Sequence, residues 1–141
     1  MRKMGQGILL RVFMVGFIII NGWGLGNALG ADTGTEIPAT NPFSGNQAAI
    51  EEGRSWYRSI CSNCHGGRAD GAGERGHGAD LRVFNKGFRK FVETVKNGRD
   101  TGRAMKMPSW GKVLSDDTIY KIGAYLETLA QEGANWKEGV K

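Results

Sequence analysis

Apolar and polar positions divide the 141-residue chain into one apolar run near its start, three helical stripes and the loops between them. From Val12 to Ile20 the run is broken only by Gly16. Further on, Ala49, Gly53, Trp56, Tyr57 and Ile60 recur at three- and four-residue spacing, which predicts a helix from Asn46 or Gln47 to Ile60 with those residues on its buried face. Asn46 suits an N-cap, and Glu51 and Glu52 suit the positive end of the helix dipole. Gly53 inside a helix costs up to ~1 kcal/mol relative to alanine; its missing side chain would let a second helix approach closely. Phe84, Phe88, Phe91, Val92 and Val95 form the second stripe, with Lys86, Arg89, Lys90, Glu93 and Lys96 opposite and Gly98 as the stop. The third starts at a Ser115 cap followed by Asp116 and Asp117, and runs to about Ala130. Ile119, Ile122, Leu126 and Leu129 face one way, bordered by Tyr125. With no convincing strand pattern, the fold class is all-α.

The connecting segments have different characters. Residues 31–45, interrupted by Pro38 and Pro42, read as an extended arm lying over the surface. Gly66 to Gly78 holds six glycines in thirteen residues, a loop with little to bury. Arg99 to Lys112 is a second loop, carrying Met105, Met107, Pro108 and Trp110. One domain is expected over residues 46–131, and residues 132–141 read as a polar, frayed tail. Residues 1–30 have the layout of a secretory signal peptide: Arg2, Lys3 and Arg11, the apolar run, then Ala28-Leu29-Gly30 at a cleavage site. The alternative is a retained anchor, but Asn21, Gly22 and Asn27 leave the run short of the ~20 residues a membrane span needs. Either way the body of the protein is expected outside the cytoplasm, in the periplasm, without stable membrane insertion once the signal is cleaved.

The formal charge of +5 changes meaning once the leader is set aside, because 16 basic residues then face 14 acidic ones. That balance does not indicate a domain that binds nucleic acid.

The chemistry concentrates at Cys61-Ser62-Asn63-Cys64-His65, which holds the only two cysteines of the chain. C-x-x-C-H is the attachment signature of a c-type haem: each thiol adds to a vinyl group, and the imidazole binds the iron. At i, i+3 and i+4 on a helix, Cys61, Cys64 and His65 project from one face. In an oxidising compartment the pair could instead be a structural disulfide or a thiol-exchange site, but the latter lacks its βαβ surroundings. A zinc site would have only His77 beyond His65. Haem attachment predicts both the adjacent histidine and export, so one covalent haem c is the expected cofactor. His77 is an alternative iron ligand, a propionate partner or a solvated loop residue.

A second axial ligand would limit the iron to exchanging electrons, and a thioether favours its ferrous state. Outside the leader the candidates are Met107 and Met105. Met107 is preferred because Pro108 holds it in an extended conformation, suited to a residue reaching from a loop. Met105 is the runner-up. No catalytic residue is indicated.

Together, these residues resemble the class I cytochromes c over about Gln47 to Ala130. The resemblance implies that the first helix ends in C-x-x-C-H, that Met107 lies on a later loop as the sixth ligand, and that the last helix crosses the first. Gly53 and Tyr57 match one side of that crossing, and Ile122, Tyr125 and Leu126 the other. The family often has Gly-Pro before the leucine after the haem loop, its proline carbonyl accepting the histidine's second proton. Here Gly78-Ala79-Asp80-Leu81 stands instead, so Ala79 would supply the carbonyl from a less stiffly held turn.

A narrower resemblance runs through Asn41-Pro42-Phe43-Ser44-Gly45-Asn46, Ala49-Ile50-Glu51-Glu52-Gly53 and CSNCHGG. It is to the small periplasmic cytochromes that take electrons from PQQ-dependent alcohol and methanol dehydrogenases. It implies a carrier between such a dehydrogenase and a terminal oxidase or another cytochrome, with the basic residues between Arg82 and Lys112 available to dock an acidic partner. The alternative function is a haem enzyme or sensor that binds a small ligand after displacing the methionine.

Overall fold

In the computed structural model, which describes residues 36–75, 78–102 and 105–137, Asn46 caps the first helix as its short polar side chain predicts. Its Oδ1 accepts the Ala49 N–H at 3.0 Å, satisfying a donor that every helix start leaves open. Helix α1 spans Gln47–Trp56. The spacing predicts an unbroken helix to Ile60; instead Tyr57–Cys61 form a π-helical turn, and the short α2 covers Ser62–His65. Ser59 Oγ donates to the Ser55 carbonyl at 3.0 Å and Ser62 Oγ to that of Arg58 at 2.6 Å. Hydroxyls that share carbonyls with the backbone ladder in this way loosen and bend helices.

Helix α3 spans Phe88–Asn97 and is closed by Gly98, at φ 73°. It starts four residues after the apolar stripe because Gly87, at φ 81° and ψ 160°, turns the chain into it. Helix α4 spans Asp116–Glu127 and has the predicted cap, Ser115 Oγ accepting from Thr118 N–H. Among the described residues there is no strand, only an isolated antiparallel bridge between Arg99 and Met107. The described fold is all-α.

The central contact is the crossing of α1 and α4. A Cβ on Gly53 would collide with the Lys121 carbonyl and lie 2.9 Å from Ile122 N. At this separation only the row Ala49, Gly53 and Tyr57 is buried. Trp56, one position round the helix and expected in the buried face, is 39% exposed. Ile119, Ile122 and Leu126 of α4 complete this core with Phe88, Phe91 and Val92 of α3.

Both chain extensions pack more closely than their composition predicts. In the arm, Asn41 is buried; its Nδ2 donates to the Tyr120 carbonyl at 2.9 Å and its Oδ1 accepts the Phe43 N–H. Ser44 Oγ donates to Glu127 at 2.5 Å, and Ile37 joins the core. After α4, Gln131 N–H donates to the Arg82 carbonyl at 2.8 Å, Asn135 N–H to that of Phe84 at 2.8 Å and Phe88 N–H to that of Trp136 at 3.1 Å. The Trp136 ring sits 5.0 Å from that of Phe84 and 5.2 Å from that of Phe91. One indole in a polar tail is enough apolar surface to dock it. The expected leader, His77 and Arg103 lie outside the described residues. No described helix is long and apolar enough to cross a membrane.

Gly53→Ala is expected to destabilise the protein by at least about 1–3 kcal/mol, as overpacking does in tight cores, because the opposing atom is backbone and cannot rotate aside. Urea unfolding of the variant beside the parent protein measures it.

Candidate functional site

The site grows from the end of α2. A helix of four residues cannot hold itself together, and its last carbonyls need partners. Each finds one. Gly66 N–H donates to Ser62 O at 2.8 Å, Arg75 N–H to Asn63 O at 2.9 Å, Gly78 N–H to Cys64 O at 2.9 Å and Gly71 N–H to His65 O at 2.8 Å. The next carbonyl, Gly66 O, accepts the Tyr57 hydroxyl at 2.7 Å. Burial pushes the Tyr57 hydroxyl well above its ordinary pKa, so it stays protonated and donates. The glycine loop therefore caps the C-x-x-C-H turn. Close approach explains two of its glycines: a Cβ at Gly73 would lie 2.5 Å from Asn63 O, and one at Gly78 would lie 2.6 Å from Cys64 O and 2.9 Å from His65 Nδ1.

Cys61 and Cys64 are both half-buried and form no disulfide with each other. Burial, assisted by neighbouring Cys64, pushes the Cys61 thiol up to about 12. Thiol-exchange sites need the opposite shift. His65 Nδ1 lies 2.9 Å from the Ala79 carbonyl. A carbonyl can only accept, so Nδ1 carries the proton, and in the neutral ring the lone pair is then on Nε2. Ala79 thus fills the place expected for it. The nearby positions Asp80 and Arg82 add something that sequence reasoning missed. Arg82 donates to Asp80 through Nε at 3.0 Å, through Nη2 at 2.7 Å and through its backbone N–H at 3.0 Å. The guanidinium holds the Asp80 carboxyl below the usual carboxylate range. An acid two residues before an arginine is the available signal, weak on its own.

The second loop holds Met107 by its backbone. Arg99 N–H donates to Met107 O at 2.9 Å and Met107 N–H to Arg99 O at 3.0 Å. Gly98 makes this possible with its positive φ, since a Cβ there would stand 2.5 Å from Met107 O. Trp110 N–H and Gly111 N–H donate to Val95 O and Lys96 O, at 2.9 and 3.1 Å, fastening the loop to the end of α3. The Met107 side chain is half-buried and packs against the core, whereas Met105 is 59% exposed. Many of the basic residues in this half of the chain are paired: Arg82 with Asp80, Arg89 with Glu36, Lys90 with Glu93, Lys96 with Asp116 and Lys106 with Asp100.

Known proteins share the sequence pattern and the fold. A family model described as "Cytochrome C oxidase, cbb3-type, subunit III" matches residues 48–126. The chain belongs to the cytochrome c family. Cytochrome c550 of Pseudomonas aeruginosa is 31% identical over 104 residues, which are 72% of this chain and 70% of that one. The cbb3-type cytochrome c oxidase subunit CcoP of Azospirillum brasilense is 34% identical over 100 residues, 66% of this chain and 32% of the subunit. This cytochrome thus spans about a third of that subunit's length. The crystal structure of cytochrome CL from the methylotroph Methylophaga aminisulfidivorans shares the fold, with a TM-score of 0.50, 24% identity and 70% of each chain covered.

Family members carry covalently attached haem c and transfer electrons, so this cytochrome is an electron carrier and not an enzyme. Its residues fit the group. Two unjoined thiols and an imidazole with a free Nε2 share one capped turn, and among the described residues no cluster of three or more His, Cys, Asp and Glu side chains offers a bare-ion site.

Two substitutions test the scaffold. Tyr57→Phe leaves Gly66 O without its hydroxyl donor and should lower stability by about 1 kcal/mol. Gly98→Ala forces a left-handed alanine against Met107 O and should cost about 1–3 kcal/mol. Denaturant midpoints at constant slope read both.

Proposed function

We propose that this cytochrome is an exported, periplasmic, monohaem carrier with His65 and Met107 as the two axial iron ligands. We further propose that it accepts single electrons from a PQQ-dependent alcohol or methanol dehydrogenase and delivers them to a terminal oxidase or another cytochrome. The observation that carries the ligand assignment is the fixed tautomer of His65: with Nδ1 committed to Ala79 O, Nε2 is the ring atom left for a metal. Bound haem supplies an iron that alternates between Fe(III) and Fe(II), one electron at a time. Cys61 and Cys64 anchor it, and the capped turn keeps the imidazole aimed.

Met107 is half-buried and held by two backbone hydrogen bonds, which suits a ligand that keeps exogenous molecules off the metal. Met105, at 59% exposure, suits that task poorly. The donor is supported by the run from Asn41 to Asn46 and its continuation into CSNCHGG. Relatives that are subunits of cbb3-type cytochrome c oxidases support an oxidase as acceptor. The leader over residues 1–30 supports export.

The oxidised holoprotein should show the weak near-infrared sulfur-to-iron band, and the reduced form should bind carbon monoxide poorly. Met107→Ala should lose the band and gain carbon monoxide binding, while Met105→Ala changes neither. A band that survives in Met107→Ala overturns the assignment, and ready carbon monoxide binding by the parent protein favours the ligand-binding alternative. Charge governs encounter rate more than affinity in brief contacts. Lys86, Arg99 and Lys112 make no ion pair among the described residues, so electron exchange with an acidic donor should slow as salt rises. A rate indifferent to salt removes basic docking and leaves the carrier role intact.

A further inference from the structure

The Ala79 carbonyl that faces His65 belongs to an exposed alanine in a glycine-rich loop, with no long side chain of its own to hold it. What holds it lies on either side. Upstream, Gly78 N–H donates to Cys64 O at 2.9 Å; downstream, Leu81 N–H donates to Ala69 O at 2.8 Å. Between these anchors the Ala79 carbonyl shares a planar peptide unit with Asp80 N, so whatever fixes Asp80 aims that oxygen.

The Asp80 carboxylate is fixed by Arg82. One carboxylate oxygen accepts both the Arg82 backbone N–H and its Nε, each at 3.0 Å, and the other accepts Nη2 at 2.7 Å. This fork closes a three-residue ring over Leu81, and charge-assisted bidentate pairs resist rotation better than single contacts. The ring is itself moored, because Arg82 O accepts Gln131 N–H at 2.8 Å. Both side chains are about one-third exposed or less, at 28% for Arg82 and 32% for Asp80, so the pair is partly shielded from water.

We propose that Asp80 and Arg82 are positioning residues for His65, a clamp that aims the Ala79 carbonyl at Nδ1 and so sets the orientation and electron-donating strength of the imidazole. The clamp rests on the reading of His65 as an iron ligand. A histidine whose outer nitrogen donates to a well-placed acceptor is a more basic ligand, and that acceptor also fixes its ring plane. Greater basicity stabilises Fe(III); loosening the clamp therefore raises the reduction potential.

The sign of that shift separates geometry from bare charge. Removing the negative charge in Asp80→Asn raises the potential by electrostatics alone, whereas removing the positive charge in Arg82→Gln lowers it. If the clamp governs, both variants raise it. Arg82→Lys keeps the charge and loses the fork, so it also raises the potential.

The experiment uses the holoprotein with haem attached and compares these three variants with the parent protein by redox titration and NMR. In the parent protein, the His65 Nδ1 proton should carry a large paramagnetic shift in the oxidised state. In the variants it should exchange with solvent roughly tenfold faster, the change that about 1.4 kcal/mol of lost hydrogen bonding produces. Absence of that shift in the parent protein removes His65 as ligand and the clamp with it. With the shift present, parent-like exchange in all three variants, or potentials that move oppositely in Asp80→Asn and Arg82→Gln, overturns the clamp and spares the ligand. Should either of those two fail to fold, Arg82→Lys, the mildest change, decides: a raised potential with faster exchange supports the clamp, and parent-like values overturn it.

Discussion

Everything at the site is placed from the point where α1 and α4 touch backbone to backbone. Gly53 admits the Lys121 carbonyl where any side chain would block it. That contact fixes the height of Tyr57 one turn later, with its ring 5.5 Å from that of Tyr125 and its hydroxyl on Gly66 O. Lys121 reinforces the same crossing from its rim, reaching Glu52 at 2.9 Å and Asp117 at 2.8 Å. One absent methyl group thus sets the position of a motif that begins eight residues downstream.

Below that crossing the site is organised by carbonyl groups more than by side chains. The turn that bears Cys61, Cys64 and His65 survives because a glycine loop donates N–H groups to its open carbonyls, and glycine is what allows the loop to come so close. The Met107 side uses the same device, with Gly98 folding under a two-bond bridge. The C-x-x-C-H turn and the Met107 loop are each held by short backbone contacts, so their backbone geometry depends little on the rotamers of flexible residues.

What can be read in the sequence is what local rules govern. Asn46 and Ser115 cap as short polar residues should, Gly53 marks the crossing, and the pentapeptide announces its chemistry. The π turn is hidden because a period near 3.6 does not register serine hydroxyls drawing on Ser55 and Arg58 carbonyls. The arm and the tail pack against surfaces that exist only after folding, so their composition alone points to looser segments. Asn41 finds its acceptor 79 residues away, at Tyr120. The basic residues of the second half read along the chain as one docking face, but Asp80, Glu93 and Asp100 nearby and Glu36 and Asp116 from distant segments pair with five of them. For the arm and the tail, a long-range contact decides the outcome.

The half-buried position of Cys61 has a consequence for its reactivity. Thioether formation needs a reachable sulfur with thiolate character, and in the folded chain this sulfur is half-enclosed, with burial pushing its pKa up to about 12. An unfolded chain, in which nothing encloses that sulfur, is the better substrate for attachment.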